Sequence, residues 1–183
     1  MNEFTIHTPE SAPVAAREAL GALERNVGFI PNLAATIAGS PAALQAFVAI
    51  QSALRRSALA PAEREIVGLT VSRENLSAYS LAAHATFAGR AGLAPDAIAA
   101  LRDGKALPDP RQEALHAFTG ELLRSRGHLP AELLAGFLAA GYSLENALEV
   151  VTQVAYTTMA NLAANLAGTP VDPEFEAQAV ALT

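Results

Sequence analysis

Three side chains that could take part in chemistry recur at helical spacing near the middle of the chain. Ser77, Ser80 and His84 are three and four residues apart, so a helix with 3.6 residues per turn places all three on one face. Ser77 also belongs to the residue types that favour the N-cap, so we expect the helix to begin there. The free N–H groups and the dipole at a helix N-terminus stabilise anions. This face is therefore a candidate ligand site.

Glu65, in the preceding segment, could contribute its carboxylate to the same candidate site. It is followed by Ile66 and Val67, so we expect apolar surroundings, in which a carboxylate needs a partner. His84, Arg64 or Arg73 could supply one.

A pair of helices is predicted to carry these residues, from Pro61 to about Gly92. Pro61 suits the first position of a helix because it has no N–H to leave unpaired. Asn75 interrupts the apolar pattern, and it tolerates the left-handed conformation that ends helices. The turn between the two helices is therefore predicted at Asn75.

The stretch from Glu63 to His84 resembles the core of the alkylhydroperoxidase D (AhpD)-like, peroxidase-related branch of the carboxymuconolactone decarboxylase family. That core reads E-R-E-I-V, and later N-G-C-x-Y-C-x-x-x-H. Ser77 and Ser80 stand at the two cysteine positions, and Leu76 stands at the usual glycine. The identical positions are Glu63, Arg64, Glu65, Ile66, Val67, Ser72, Arg73, Asn75, Tyr79 and His84. Further similar segments are residues 27–33, 40–44, 91–93, 109–111 and 161–170.

The resemblance implies a compact all-α helical bundle, with the helix–helix core motif at residues 61–91, that assembles as a homo-oligomer. In the family, the cysteine pair reduces peroxides while a glutamate and a histidine, here Glu65 and His84, relay protons. The catalytic positions implied are thus Glu65, Ser77, Ser80 and His84. The sequence contains no cysteine, and a serine hydroxyl forms neither a disulfide nor a sulfenic acid. We therefore predict that the chain is inactive as a dithiol peroxidase.

Several other roles for these residues stay open. Ser80 could be a nucleophile activated by His84, or the serines could only cap and pack the helix. Glu65 and His84 could act as acid and base on a small carboxylated or lactone substrate, as in a cysteine-free decarboxylase or isomerase. The site could also be the remnant of a binding or assembly module. A pocket still lined by Glu65, Ser77, Ser80 and His84, with water inside, would favour the AhpD-like protein or the non-redox enzyme, and a collapsed apolar site would favour the binding module.

Composition narrows the class of protein. The 183 residues suit one domain, residues 1–183. The net charge of -6 argues against nucleic acid and anionic membranes as partners. No basic leader precedes an apolar run, so we expect a cytoplasmic protein. His7, His116 and His128 lack metal-ligand spacing, so we predict no metal, and no cofactor is implied.

Two long segments without charge need an explanation. Residues 26–54 and 150–171 contain no charged side chain, and the second is long enough to span a membrane. Polar residues interrupt it, so we expect a helix buried in the protein or against another subunit. Asn161 and Asn165, one turn apart, could bind a ligand or a partner subunit.

Ser40, Asp109 and Ser143 are predicted N-caps, the last beginning a long helix that ends at Gly168.

Overall fold

The computed structural model describes residues 3–180, which form nine α-helices and one 3-10 helix and contain no β-strand. The prediction of an all-α protein is confirmed. The elements are α1 (Val14–Val27), α2 (Asn32–Ile37), α3 (Pro41–Leu54), α4 (Pro61–Glu74), α5 (Ala78–Arg90), α6 (Pro95–Asp103), α7 (Pro110–Arg124), α8 (Ala131–Ala139), α9 (Leu144–Ala167) and the 3-10 helix Pro173–Gln178.

Three helices begin where the sequence predicts. The side chains of Ser40, Asp109 and Ser143 accept hydrogen bonds from backbone N–H groups in the first turns of α3, α7 and α9. Each of these bonds satisfies a donor that has no partner within the helix. At the other end of α9, Gly168 adopts the left-handed conformation with φ 55°.

The turn between α4 and α5 differs from the prediction by one residue. Asn75 has φ −87°, and Leu76 is the residue in the left-handed conformation, with φ 51°. The Asn75 side chain instead donates a hydrogen bond to Asn161 Oδ1 at 3.0 Å. A leucine is strained in this conformation because its Cβ approaches the following carbonyl oxygen. The family resemblance has a glycine at this position, which would adopt the conformation without that cost.

The helices enclose two hydrophobic clusters, and α5 and α9 contribute to both. One cluster joins α4 to α6, α7 and α8, and includes Ile66, Leu81 and Phe118. The other joins α1, α2 and α3 to the 3-10 helix, and includes Ala82 and Phe175. Because α5 faces both clusters, most of its residues are buried. A polar side chain on α5 therefore needs a partner or a cavity.

Helix α9, which has no charged residue from Val150 onward, lies against α4 and α3 and carries a row of buried polar side chains. Asn161 donates to Ser72 Oγ at 3.2 Å, and Asn165 donates to the Asn75 carbonyl at 3.1 Å. These two asparagines therefore support the α4–α5 turn within the chain.

Across residues 3–180, no helix is long and apolar enough to cross a membrane.

Candidate functional site

The side chains of Glu65 and His84 meet between α4 and α5. Glu65 Oε2 lies 2.7 Å from His84 Nδ1. His84 is buried, at 9% relative exposure, and Glu65 is partly buried. Of the partners considered for Glu65, the structure thus selects His84, while Arg64 bonds to the Leu59 carbonyl.

Gly68 lets the imidazole of His84 lie directly against the backbone of α4. A Cβ added at Gly68 would collide with His84 Nδ1 and would lie 2.5 Å from Cε1. No real Cβ makes such contacts, so any larger residue here would displace the ring. The Glu65 carboxylate and the backbone at Gly68 together fix the orientation of the imidazole.

This geometry leaves one ring nitrogen of His84 free to exchange a proton. A carboxylate only accepts hydrogen bonds, so in a neutral imidazole Nδ1 carries the hydrogen and Nε2 carries the lone pair. Within residues 3–180, no hydrogen bond to Nε2 is present. A base oriented by a carboxylate in this way is the arrangement that general acid–base catalysis uses.

Both serines are buried beside this pair, but the role predicted for Ser77 is only half right. Ser77 occupies the N-cap position of α5, yet its hydroxyl makes no capping hydrogen bond. It donates instead to Ser80 Oγ at 3.2 Å. No hydrogen bond joins Ser80 to His84 in the part of the chain that the structure describes. The contact that a serine nucleophile needs with its base is therefore absent from this structure.

Two cavities adjoin His84. The one we call the apolar cavity has a volume of about 80 Å³, and the one we call the polar cavity has a volume of about 440 Å³. The apolar cavity is lined by Leu23, Leu33, Phe47, Ala83 and Phe175, with Ser80, His84, Phe87, Gln51 and Tyr156. The polar cavity is lined by Arg55, Arg64, Glu65, Arg90 and Gln153, with His84, Phe87, Gln51 and Tyr156. The two cavities share His84, and Ser80 lines only the apolar one.

Tyr156 of α9 also lines both cavities, and sequence reasoning missed it. Its ring stacks on Phe47 with centroids 4.7 Å apart, and its hydroxyl accepts a hydrogen bond from Gln51 Nε2 at 3.1 Å. Burial raises the pKa of the Tyr156 phenol above its ordinary value, so the hydroxyl stays protonated and can donate. No sequence pattern links Tyr156 to His84, because they lie on different helices and come together only on folding.

Tyr79 lies on α5 close to this site, but its hydroxyl is occupied elsewhere. It donates to Asp172 Oδ2 at 2.5 Å and accepts from the Leu33 N–H at 3.3 Å. The other oxygen of Asp172 accepts from the Asn32 N–H at 2.9 Å. Burial, together with the hydrogen bond to Asp172, raises the pKa of Tyr79. This cluster ties α5 to α2 and to the chain before the 3-10 helix.

The site offers acid–base groups rather than a metal cage. Among residues 3–180, no group of three or more histidine, aspartate or glutamate side chains lies close enough to hold a metal ion together.

One family model matches the segment of the sequence that contains this site. Residues 41–119 match the model of the carboxymuconolactone decarboxylase family. The match includes α4 and α5, and with them Glu65, Ser77, Ser80 and His84. None of the curated proteins compared with the chain matches its sequence significantly.

Solved structures share the fold over nearly the whole chain. A peroxidase-related protein with an alkylhydroperoxidase AhpD core, from Ralstonia eutropha JMP134, has a TM-score of 0.84 at 23% identity, covering 94% of this chain and 93% of its own. A peroxidase-related protein from Silicibacter sp. TM1040 has a TM-score of 0.81 at 20% identity, covering 96% and 93%. A cysteine-to-alanine variant of the debrominase Bmp8, in complex with 2,3,4-tribromopyrrole, has a TM-score of 0.78 at 19% identity, covering 97% and 96%.

These findings confirm the all-α, AhpD-like bundle that the sequence predicts. The segment that carries the site thus matches the model of the carboxymuconolactone decarboxylase family, the chain has the fold of solved AhpD-like, peroxidase-related proteins, and its sequence has no cysteine with which to act as a dithiol peroxidase.

Proposed function

We propose that Glu65 and His84 form a non-redox acid–base pair that acts on a small molecule held in the apolar cavity. The observation that carries this proposal is the 2.7 Å hydrogen bond between Glu65 and His84, at a point where the ring adjoins both cavities. Ser77 lines neither cavity, but His84 lines both, Ser80 the apolar one and Glu65 the polar one, which supports an enzyme over a packed remnant in a binding module.

In the proposed mechanism, His84 Nε2 removes a proton from the substrate and returns it at another atom. The imidazolium formed is stabilised by the Glu65 carboxylate, which already accepts the Nδ1 hydrogen. Tyr156 supplies a hydroxyl donor toward the same cavities, where negative charge develops on a carbonyl oxygen. This is the chemistry of an isomerase or of a decarboxylase that protonates a carbanion. The buried Ser80 hydroxyl completes the polar lining of the apolar cavity.

The competing chemistries have less support. A dithiol reaction has no thiol to use, because the sequence lacks cysteine. A serine nucleophile lacks the hydrogen bond between Ser80 and His84. The debrominase of the same fold binds a halogenated pyrrole, which supports a small, mostly apolar ring as the kind of ligand for this cavity.

Exchange of carbon-bound protons tests the proposal without knowledge of the natural substrate. Small lactones and cyclic ketones would be incubated in D₂O with the protein, and NMR would follow the loss of the signal of the proton next to the carbonyl. We expect exchange above the buffer rate, falling about 10²–10⁴-fold in His84→Gln, as for loss of a general base. Exchange in Glu65→Gln should fall less, because Glu65 orients the ring and stabilises the imidazolium but does not itself remove the proton. His116→Gln, at a partly buried histidine that lines neither cavity, is the matched control.

Exchange that is equal in the parent and in His84→Gln for every compound would contradict the proposal.

A second experiment tests whether the proton relay implied by the resemblance persists around the serine pair. We expect the parent to consume no peroxide with a dithiol reductant, and Ser77→Cys/Ser80→Cys to gain turnover. Adding His84→Gln to that double variant should remove the gain, because the thiol loses its proton acceptor. An inactive double variant would mean that the site has diverged beyond its two sulfur positions, and turnover in the parent would contradict the absence of dithiol chemistry.

A further inference from the structure

The polar cavity carries an excess of positive charge in an acidic protein. Arg55, Arg64 and Arg90 line it, and Glu65 is the one carboxylate among its described lining residues. Glu65 is already hydrogen-bonded to His84. The whole chain has a net charge of -6, so this concentration of arginine is a local feature rather than a reflection of composition.

None of these three arginines forms an ion pair with a carboxylate within residues 3–180. Arg64 is partly buried and donates one hydrogen bond to the Leu59 carbonyl at 2.7 Å. Arg90 lies over the ring of Phe87, with its guanidinium carbon 5.7 Å from the centroid. A guanidinium has five N–H donors, so most donors of these side chains remain available.

Two other arginines are neutralised by acids: Arg111 pairs with Glu63, and Arg124 pairs with both Glu74 and Glu121. The three arginines of the polar cavity are set apart because they line one cavity together without a carboxylate partner within residues 3–180. A cavity with fixed positive charge and unused N–H donors attracts oxyanions, which guanidinium groups bind through two parallel hydrogen bonds.

We propose that the polar cavity binds the oxyanion group of a small substrate whose apolar body occupies the apolar cavity. This inference rests on the proposed function and names its substrate class. Because the two cavities share His84 and Tyr156, the substrate would lie across the imidazole. Its reacting atoms would then be close to the anionic group, where Arg64 also stabilises negative charge that develops during proton removal.

Binding of simple probes tests this proposal. Calorimetry would compare phenylacetate, phenyl phosphate and the neutral phenylacetamide at low salt. We expect at least one anion to bind about tenfold or more tightly than phenylacetamide, because hydrogen bonds between charged groups are stronger than those between neutral groups. The preferred anion distinguishes a carboxylate substrate from a phosphate ester. Equal affinity for all three compounds, or binding of none, would overturn the proposal.

Arginine variants test where in the polar cavity the anionic group binds. Arg64→Gln should weaken anion binding about tenfold and leave phenylacetamide unchanged, and Arg64→Lys should restore part of the loss because it retains the charge. Arg56→Gln is the matched control, since Arg56 is next to Arg55 in sequence but does not line the cavity. Thermal melts would establish that each variant is folded. An equal loss in Arg56→Gln and Arg64→Gln would refute the assigned position.

The same probes separate this inference from the proposed function. Anion binding needs no proton transfer, so it should persist in His84→Gln. Anion binding without any proton exchange would leave the anion site standing and remove the acid–base function. Proton exchange of neutral lactones without anion binding would leave the acid–base function standing and remove the anion site.

Discussion

Two hydrogen-bonded side-chain pairs involve helix α5: Tyr79 with Asp172, and His84 with Glu65. In the first pair the carboxylate oxygens both have donors within the protein, whereas in the second a ring nitrogen has no partner within residues 3–180. The Tyr79–Asp172 pair has a donor for each carboxylate oxygen, from the Tyr79 hydroxyl and the Asn32 N–H. The Glu65–His84 pair has one internal hydrogen bond and a ring nitrogen without a partner in the described chain, beside two cavities. Burial alone therefore does not mark a functional group.

The difference lies in whether a polar group's hydrogen bonds are satisfied inside the protein. A completed pair in the interior stabilises the fold, because losing either partner strands the other away from water. An open pair, which has an unsatisfied polar atom facing a cavity, can form a hydrogen bond with water or with a ligand. Substituting it should therefore lower the free energy of unfolding less, and its free atom is available for chemistry. Substitutions at Tyr79 and Gly68 test this distinction, and two more, at Leu76 and His116, test the turn before α5 and a partly buried histidine outside both pairs.

Tyr79→Phe should have the largest effect on stability. It leaves Asp172 Oδ2 without its donor in a buried position, so we expect the free energy of unfolding to fall by about 3 kcal/mol. Tyr156→Phe is the matched change at the open site and should cost less than about 1 kcal/mol, because the Gln51 amide can turn to the cavity. Urea denaturation measures both, and equal losses would contradict the distinction.

Gly68→Ala should come next, because it breaks the open pair through packing. The new Cβ would overlap the His84 ring, so we expect a loss of about 2 kcal/mol and displacement of the imidazole from Glu65. Gly136→Ala is the control, since no atom lies within 4 Å of a Cβ there; it should be neutral or slightly stabilising. Denaturation and imidazole NMR shifts check both results. An undisturbed His84 signal in Gly68→Ala would show that α4 and α5 separate easily.

Leu76→Gly should stabilise the protein by about 1 kcal/mol, because glycine removes the strain of the left-handed conformation. Leu162→Gly is the matched control: both leucines are 60% exposed, but Leu162 lies inside α9. That control should lose about 1 kcal/mol. Thermal denaturation reports the opposite signs. Destabilisation by both changes would mean that Leu76 makes contacts that outweigh its strain.

His116→Gln should have the smallest effect, visible as a change in pH dependence. His116 Nδ1 lies 2.8 Å from Thr70 Oγ1, and burial lowers the pKa of this imidazole. The unfolded chain therefore binds the proton more readily, so stability falls as pH decreases through the unfolded pKa of about 6.5. Denaturation at pH 7.5 and 5.5 should show a smaller decrease for His116→Gln than for the parent. His128→Gln, at an exposed position, should keep the parent's decrease.

The helices and the candidate residues could be predicted largely from local pattern. Spacing placed Ser77, Ser80 and His84 on one helix, and the apolar neighbours of Glu65 indicated that it needs a partner. The N-cap predictions at Ser40 and Ser143 held, because a cap depends on residues only three positions away. The same reasoning was wrong for the hydroxyl of Ser77, which bonds to Ser80 instead.

The amino-acid sequence by itself determined the all-α class, the order of the helices, the match of residues 41–119 to the carboxymuconolactone decarboxylase family model, and the absence of any thiol chemistry. Only the tertiary structure decided which residues surround His84. Gln51 comes from α3, Arg55 directly follows that helix, Arg90 comes from α5 and Tyr156 from α9, and the sequence gives them no common spacing. Periodicity reports which face of a helix is buried, whereas a cavity depends on where faces of separate helices fail to fill the space between them.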